Sequence, residues 1–465
     1  MLLTAILIYL VVTLAIGAWS ARLVKNSNDF VLAGRSLPLF LSASALFATW
    51  FGSETIFGAS SVYLEEGLIG VIEDPFGGAL CLILFGLFYL RPMYRMNVLT
   101  IGDVFKKIFG ERLSFFASIF MIPAYFGYVA AQLIALSLVL GAVTDLSLME
   151  GVVISACSFV FYTFLGGMWA ISITDFMQTT LIVIGLLAVA YLVASEAGGI
   201  GVIIEKAPPE SFQFFPEPNF AAWISYFGAW IILGLGSIPS QDIYQRVMSS
   251  KSEKVAVQST YLAGIFYLTF GLLPLFIALG AKILYPELYL ADKQMLLPAM
   301  VLQHSNLPIQ VLFFGALISA IMSTTSSGLL APAAIISENL IRPYFGKNLK
   351  DRHFLWILRA NVVLVAGIAL LMASWKSDIY ELVAGASILM LVSLFVPLTA
   401  GLYWKKASPG GAFLALFVGT GAYLAAEMLV PNQETHLIGL FASALAMGVG
   451  SYIFPTKTLT PDELS

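Results

Sequence analysis

Five acidic residues lie inside long apolar stretches of this 465-residue sequence. They are Glu54, Glu73, Asp74, Asp175 and Glu427. An ionisable side chain in apolar surroundings is costly and is a functional candidate by default. Carboxylates in such places are candidates for binding a cation or a positively charged solute.

Four of these acids also have structural explanations. Glu73 and Asp74 precede Pro75, which places them to cap a helix that resumes after a bend. Glu427 is close to the end of its stretch and is expected at a membrane interface. Asp175 is about one turn into its stretch, so it is either interfacial or a buried cation ligand.

A stripe of hydroxyl groups occurs in another apolar stretch. Ser323, Ser326 and Ser327 have the spacing i, i+3, i+4, so they share one face of a helix, and Ser319 extends it. Beside a carboxylate such a stripe would suit Na⁺. The alternative is hydrogen bonding between neighbouring helices.

Two stretches contain residues that weaken a helix in mid-span. The first, 42–55, is interrupted around Gly52, and the second, 233–242, contains Gly236 and Pro239. Unwound backbone exposes carbonyl oxygens, which are ligands for small hard cations and are tolerated in a membrane only where they line a cavity. Close helix packing at glycine is the alternative explanation.

The composition identifies the elements that must position these residues. Hydrophobic residues make up 59% of the chain and charged residues 11%, against about 25% charged in soluble domains. This excludes a soluble enzyme and a disordered chain, and a net charge of -4 gives no basic face for nucleic acid. Neither the two cysteines nor the three histidines have metal-ligand spacing. The sequence predicts an all-α polytopic membrane protein.

Thirteen stretches approach or exceed the roughly 20 apolar residues that a membrane helix needs. They are 2–22, 38–64, 69–91, 114–143, 148–168, 172–195, 219–240, 256–283, 308–340, 352–374, 378–404, 409–430 and 435–454. The first lacks a basic start and a cleavage site, so we expect it to be a retained helix. The two predicted breaks are five helices apart, as a five-helix inverted repeat requires.

Basic residues predict the orientation, because cytoplasmic loops collect Lys and Arg. All but four of the 23 fall in alternate loops. Those in the predicted cytoplasmic loops are Arg22, Lys25, Arg35, Arg91, Arg95, Lys106, Lys107, Arg112, Arg246, Lys251, Lys254, Arg342, Lys347, Lys350, Arg352, Arg359, Lys405, Lys406 and Lys457. The opposite loops hold Lys206, Lys282, Lys293 and Lys376. This predicts a plasma (inner) membrane protein with its N-terminus outside and its C-terminus in the cytoplasm.

Three motifs together resemble the sodium/solute symporter family, over about residues 1–430. They are Gly166–Gln178 (GGMWAISITDFMQ), Ser319–Thr324 (SAIMST), and Ala48–Phe51 (ATWF) followed by Gly58. The resemblance implies a LeuT-like core of two inverted five-helix repeats, 38–195 and 219–404, joined by an extracellular loop at 196–218. An extra helix in 1–37 precedes the core, and two helices and a short cytoplasmic tail in 405–465 follow it.

The resemblance also implies Na⁺ as the coupling ion and no organic cofactor. The main Na⁺ site would use the carbonyl groups of Ala48, Phe51 and Ala320 and the hydroxyl groups of Ser323 and Thr324. Some family members have a second Na⁺ site, which here would use Asp175, Ser323, Ser326 and Ser327.

Within the family, the chain is most similar to the high-affinity choline transporter branch. Trp50 matches an aromatic residue that faces choline there, and a Trp face attracts a quaternary ammonium by about 2 kcal/mol when desolvated. The other cage aromatics of that branch are replaced here by Gly78, Ala131 and Ser240. Ion pairing with Glu73 and Asp74 would compensate and would suit a primary or secondary amine.

We therefore expect a Na⁺-coupled symporter that imports a small organic solute, choline-like or another amine, by alternating access. The expected solute-binding residues are Trp50, Ser53, Glu54, Glu73, Asp74, Ser240 and Gln241. Proline, another amino acid, a monocarboxylate or a sugar are alternative solutes, and an uncoupled channel is an alternative of another class. The expected partners are the solute and the lipid bilayer, with no nucleic acid, and no enzyme activity is expected. The oligomeric state stays open.

Overall fold

The structure is a computed structural model that describes residues 1–144, 146–345, 349–375, 379–431 and 433–455. The side chains of Tyr162, Tyr380 and Glu381 are outside this description. Lys347, Lys376 and Lys457, which contribute to the predicted topology, lie outside the described residues. Within the described ranges the chain is helical throughout, apart from connecting turns and an isolated bridge between Leu37 and Ser250.

The α-helices of the described ranges follow one another along the whole chain. In order they are α1 Leu2–Ser20, α2 Ser27–Leu32, α3 Leu39–Trp50, α4 Ala59–Glu66, α5 Gly78–Leu84, α6 Leu90–Arg95, α7 Ile101–Phe109, α8 Glu111–Val143, α9 Leu148–Glu196, α10 Ile200–Lys206, α11 Phe220–Gly236, α12 Gln241–Met248, α13 Glu253–Leu284, α14 Pro286–Ala291, α15 Leu296–His304, α16 Leu307–Ile335, α17 Arg342–Phe345, α18 Asp351–Ala373, α19 Ile379–Met390, α20 Val396–Tyr403, α21 Pro409–Leu429 and α22 Thr435–Ile453. Wider π-helical turns continue several of them, at Glu54–Gly58, Ile72–Gly77, Phe85–Tyr89, Ile336–Ile341 and Leu391–Phe395.

Ten helical segments of the described chain are long and apolar enough to cross a membrane. A bent pair, α11 and α12, meets the same criterion when its two helices are taken together. Leu39–Trp50 and Leu148–Phe161 are shorter apolar helices. The all-helical membrane architecture is therefore confirmed, whereas the count of thirteen spans stays a prediction.

Both predicted helix breaks occur in the structure. α3 ends at Trp50, Phe51 leaves the helical conformation with φ −79° and ψ 77°, and helical backbone resumes at Ser53. Between α11 and α12 the axis bends by 48°. Pro239 has no backbone N–H to donate, and Gly52 lowers helix propensity through its conformational freedom, which are physical reasons for the two breaks.

α12 is buried although it is polar. All eight of its residues, Gln241 to Met248, are buried, and it packs against α3, α13 and α16. α16 in turn packs along α8 and α9, so α12 ends in the centre of the bundle. Polar groups buried at such a position need partners inside the protein.

The predicted spans 148–168 and 172–195 form one continuous run, α9, that is divided at Gly167. Gly167 has φ 50° and ψ −143°, a conformation that L side chains rarely adopt. A Cβ atom there would lie 2.5 Å from the carbonyl oxygen of Phe30 on α2. The tight contact between α2 and α9 therefore depends on this glycine.

We predict that Gly167→Ala destabilises the protein by about 1–3 kcal/mol, because it adds backbone strain and a clash with Phe30. The measurement is the midpoint of thermal unfolding of the purified protein. Gly367→Ala in α18 is the matched control, since a Cβ atom at Gly367 meets nothing within 4 Å. The control should leave the midpoint unchanged or raise it slightly. Equal midpoints for the two variants would contradict the role given to Gly167.

Candidate functional site

A small central cavity of about 30 Å³ lies between the two helix breaks. The ends of α3, α11 and α12 and the sides of α8 and α19 surround it. Its aromatic and polar lining residues are Trp50, Glu54, Tyr125, Tyr128, Ser237, Ser240, Asp242 and Ser387, and apolar residues complete the wall. In the described part of the chain no Lys, Arg or His lines this cavity.

Asp242 has its two carboxylate oxygens held by aromatic residues. The indole Nε1–H of Trp50 donates to Oδ2 at 3.0 Å, and the hydroxyl group of Tyr125 donates to Oδ1 at 2.9 Å. The carboxylate lies in the first turn of α12, where the helix dipole stabilises a negative charge. Sequence reasoning missed Asp242. The available signal was its position just after the Pro239 break, at the start of the next helical segment.

Glu54 is the second carboxylate of the cavity and has a neutral partner. Gln132 on α8 donates from Nε2 to the Glu54 carboxylate at 2.7 Å, and its Oε1 accepts the backbone N–H of Ser53 at 3.1 Å. Gln132 thereby fixes the backbone just after the break in α3. The cavity thus contains two carboxylates and aromatic rings, a combination that suits a small organic cation.

The predicted solute-binding residues divide into two groups. Trp50, Glu54 and Ser240 line the cavity, whereas Ser53, Glu73, Asp74 and Gln241 are absent from its lining. Ser53 and Glu73 are buried, and the Oε1 atom of Gln241 accepts the backbone N–H of Ile101 at 2.7 Å. Asp74 accepts hydrogen bonds from Thr55 at 2.8 Å and from Tyr267 at 2.6 Å.

Two of the five predicted ligands of the main Na⁺ site are in direct contact. The hydroxyl group of Thr324 on α16 lies 3.3 Å from the carbonyl oxygen of Ala48 on α3. In a continuous helix the N–H of Gly52 would donate to the Ala48 carbonyl. Here it donates to the Trp50 carbonyl at 2.9 Å, so the Ala48 oxygen is left without a helical partner. Gly52 also lets α16 approach, since a Cβ atom there would lie 2.7 Å from Oγ1 of Thr324.

The other three predicted ligands are buried around this contact. Phe51 and Ala320 are fully buried, and the hydroxyl group of Ser323 donates to the carboxylate of Asp175. Carbonyl and hydroxyl oxygens at a helix break are hard donors, and they fit a small cation such as Na⁺. These oxygen donors therefore fit the chemistry of Na⁺, the ion that the family resemblance implies.

The predicted second Na⁺ site contains a positive charge of the protein itself. The guanidinium group of Arg246 donates to the hydroxyl group of Ser327, and its Nη2 atom lies 3.7 Å from Oδ2 of Asp175. The Nε atom of the same group donates to the carbonyl oxygen of Ala45 at 3.0 Å. The hydroxyl group of Ser326 donates to Met322 in its own helix at 2.7 Å.

Arg246 corrects one assignment of the predicted topology. It was counted among the cytoplasmic loop charges, but it lies on α12 and both it and Asp175 are fully buried. The assignment failed because a short polar helix resembles a loop in sequence, while its burial comes from packing against α3 and α16.

Comparisons with known proteins extend over most of the chain. A model of the sodium:solute symporter family matches residues 30–419. The high-affinity choline transporter 1 of Drosophila melanogaster is 30% identical over 422 residues, covering 86% of this chain and 67% of the relative. The osmoregulated proline transporter OpuE of Bacillus subtilis is 25% identical over 451 residues, covering 90% and 87%.

A solved structure has the same fold. The substrate-bound, outward-open state of a Na⁺-coupled sialic acid symporter superposes with a TM-score of 0.86 at 17% identity. The superposition covers 98% of both chains. At this identity the likeness establishes the fold, which is that of the LeuT-like transporters, and says nothing about the solute.

We predict that Arg246→Met lowers the stability by about 3–5 kcal/mol, because it leaves the carboxylate of Asp175 buried without a cation. The double variant Arg246→Met/Asp175→Asn should recover part of this loss, since the unpaired charge is then absent. Thermal unfolding of the wild type, both single variants and the double variant gives the coupling between the two side chains. Strictly additive effects would show that Arg246 does not compensate Asp175.

Proposed function

Because the chain belongs to the sodium:solute symporter family, we propose that it imports a small solute carrying a protonated amine together with Na⁺. The observation that carries the proposal is the central cavity, with the carboxylates of Asp242 and Glu54 beside Trp50 and no basic side chain in its described lining. A solute bearing N–H donors and a positive charge would satisfy both carboxylates.

A quaternary ammonium such as choline is less well matched to this cavity. It has no N–H donor, so its recognition depends on aromatic faces alone. Trp50 is present, but Gly78, Ala131 and Ser240 stand where the choline branch is expected to have further aromatics. The polar ends of Trp50 and Tyr125 are directed to Asp242. These contacts support an ion-paired primary or secondary amine over a caged quaternary one.

The coupling ion would bind at the break of α3. Na⁺ held by Ala48, Phe51, Ala320, Ser323 and Thr324 would tie α3 to α16. This tie would stabilise the outward-open arrangement and order Trp50 at the edge of the solute cavity. Solute binding would then favour closure of the outer side, after which Na⁺ leaves to the low-sodium interior. Each ligand must raise the affinity for the other by the same factor.

A second Na⁺ bound by Asp175, Ser323, Ser326 and Ser327 would share the carboxylate with Arg246. Two cations at one carboxylate repel each other. The second ion would therefore bind more weakly than the first.

We infer that 38–195 and 219–404 are the two inverted repeats, with 196–218 between them and 1–37 and 405–465 as flanking segments. The matched breaks after α3 and α11 support this division. The basic residues Lys106 and Lys107 on α7 support a cytoplasmic position for that helix. The chain would lie in the plasma membrane with its N-terminus outside, where the Na⁺ gradient and membrane potential drive import.

We predict that Na⁺, compared with K⁺ at equal ionic strength, stabilises the purified wild-type protein. The gain is about 2.7 kcal/mol when Na⁺ is at 100 times its dissociation constant. Thr324→Val should remove most of this gain because it deletes one ligand. Thr325→Val is the matched control, since the Thr325 hydroxyl donates within its own helix to Ile321 at 2.6 Å. A Thr324→Val protein that still responds to Na⁺ like the wild type would rule out the proposed site.

We predict that protonated primary or secondary amines without a carboxylate stabilise the Na⁺-bound protein more than choline, the zwitterion proline, lactate or glucose do. Asp242→Asn should weaken amine binding about 10- to 100-fold, because a charge-assisted hydrogen bond contributes about 1.5–3 kcal/mol. Glu73→Gln is the control, as Glu73 is a buried acid outside the cavity lining. Thermal shift titrations of the wild type, Asp242→Asn and Glu73→Gln measure the amine affinity of each protein. Stabilisation only by a carboxylate or a sugar, or full affinity in Asp242→Asn, would refute the amine assignment.

A further inference from the structure

A second group of oxygen atoms lies at the end of α3, outside the lining of the solute cavity. It consists of the Trp50 carbonyl oxygen, the hydroxyl oxygens of Thr55 and Tyr267, and the two carboxylate oxygens of Asp74. Asp74 is 1% exposed, and Thr55 and Tyr267 are fully buried. The group joins three elements, the α3 break, the turn Ile72–Gly77 and α13.

The contacts in this group outnumber its hydrogen atoms. Tyr267 lies 2.6 Å from Asp74 and 3.0 Å from both Thr55 and the Trp50 carbonyl. Thr55 lies 2.8 Å from Asp74 and 3.4 Å from the Trp50 carbonyl. Only the two hydroxyl groups supply hydrogen atoms if Asp74 is ionised. Three of the five contacts then bring lone pairs together in a site that excludes water, which is unfavourable.

The charges around Asp74 also disfavour its ionised form. Its nearest ionisable neighbours are the acids Glu54 and Glu73 and the hydroxyl group of Tyr267. α11, which packs on the same turn, carries Tyr226 as its one ionisable residue, and α5 carries Cys81. Among the described residues no Lys, Arg or His pairs with Asp74. A buried carboxylate without a cation is strongly disfavoured.

We propose that Asp74 is a proton-binding site, in which one proton is shared among the oxygens of Asp74, Tyr267 and Thr55. The oxygens already touch one another, so a proton fits between them without displacement, whereas Na⁺ would have to push them apart. The proton comes from water and forms one O–H bond on the carboxyl group; no other bond is made or broken. The proposal stands independently of the solute that the cavity binds.

Protonation would change how α13 holds the end of α3. With Asp74 ionised, both hydroxyl groups donate to the carboxylate and the Trp50 carbonyl loses them as donors. With Asp74 protonated on Oδ1, its own O–H can donate to the Tyr267 hydroxyl group, which then donates to the Trp50 carbonyl, while Thr55 still donates to Oδ2. Because the Trp50 side chain lines the cavity and donates to Asp242, the proton is linked to the solute site.

Infrared spectroscopy of the full-length protein in lipid nanodiscs tests this proposal, in K⁺ buffer without solute. A protonated carboxyl group has a C=O stretching band that is separate from the carboxylate bands and shifts in heavy water. We expect the wild type to show this band at neutral pH and Asp74→Asn to lose one carboxyl equivalent. Glu73→Gln, which replaces the adjacent buried acid, is the matched control and should keep the Asp74 component.

Two further measurements make the result specific. Tyr267→Phe and Thr55→Val should keep the carboxyl component but change its frequency, because each removes a hydrogen bond to Asp74. These two variants also test the site if Asp74→Asn does not fold. The proposal is overturned if Asp74→Asn has the wild-type spectrum, or if Glu73→Gln removes the component instead. It is also overturned if Na⁺ abolishes the component in the wild type, which would assign the oxygens to a metal ion.

Discussion

The structure depends on three backbone carbonyl groups that lose their helical partners where α3 ends. Inside a membrane protein every such group needs a partner from the protein, since lipid offers none. The carbonyls of Ala48, Thr49 and Trp50 contact hydroxyl groups from three different helices: Thr324 of α16, Tyr128 of α8 and Tyr267 of α13. The interruption of one helix therefore fixes the positions of three others.

The same interruption explains why the candidate sites cluster in the centre of the molecule. The Ala48 carbonyl belongs to the proposed Na⁺ site, the Trp50 side chain to the solute cavity, and the Trp50 carbonyl to the oxygen group around Asp74. α12 provides the opposite wall, with Asp242 in its first turn and Arg246 one turn later. These sites are neighbours because they share short lengths of interrupted backbone.

Local composition was sufficient to predict the helical membrane architecture and both breaks. The placement of Thr324 beside Ala48 came from the resemblance to the symporter family. The sequence was insufficient for Asp242 and Arg246. Their burial comes from packing of α12 against helices that are distant in sequence, and hydropathy treats a polar stretch as exposed. Asp74 was recognised as a buried acid, but its partner Tyr267, 193 residues away, carries no local signal.

Trp50 connects these sites, and this arrangement has a thermodynamic consequence. Its carbonyl contacts α13, its indole N–H contacts Asp242 on α12, and the residues flanking it carry the proposed Na⁺ ligands. A ligand that changes the position of Trp50 must alter the free energy of each neighbouring site, and the neighbouring ligands must act back equally. The interior is also rich in acids, with Arg246 as the fully buried basic side chain of the described core. Binding of one cation lowers the negative potential that attracts the next, so the charges alone oppose cooperative binding, and the coupling between Na⁺ and a cationic solute must come through the shared backbone at Trp50.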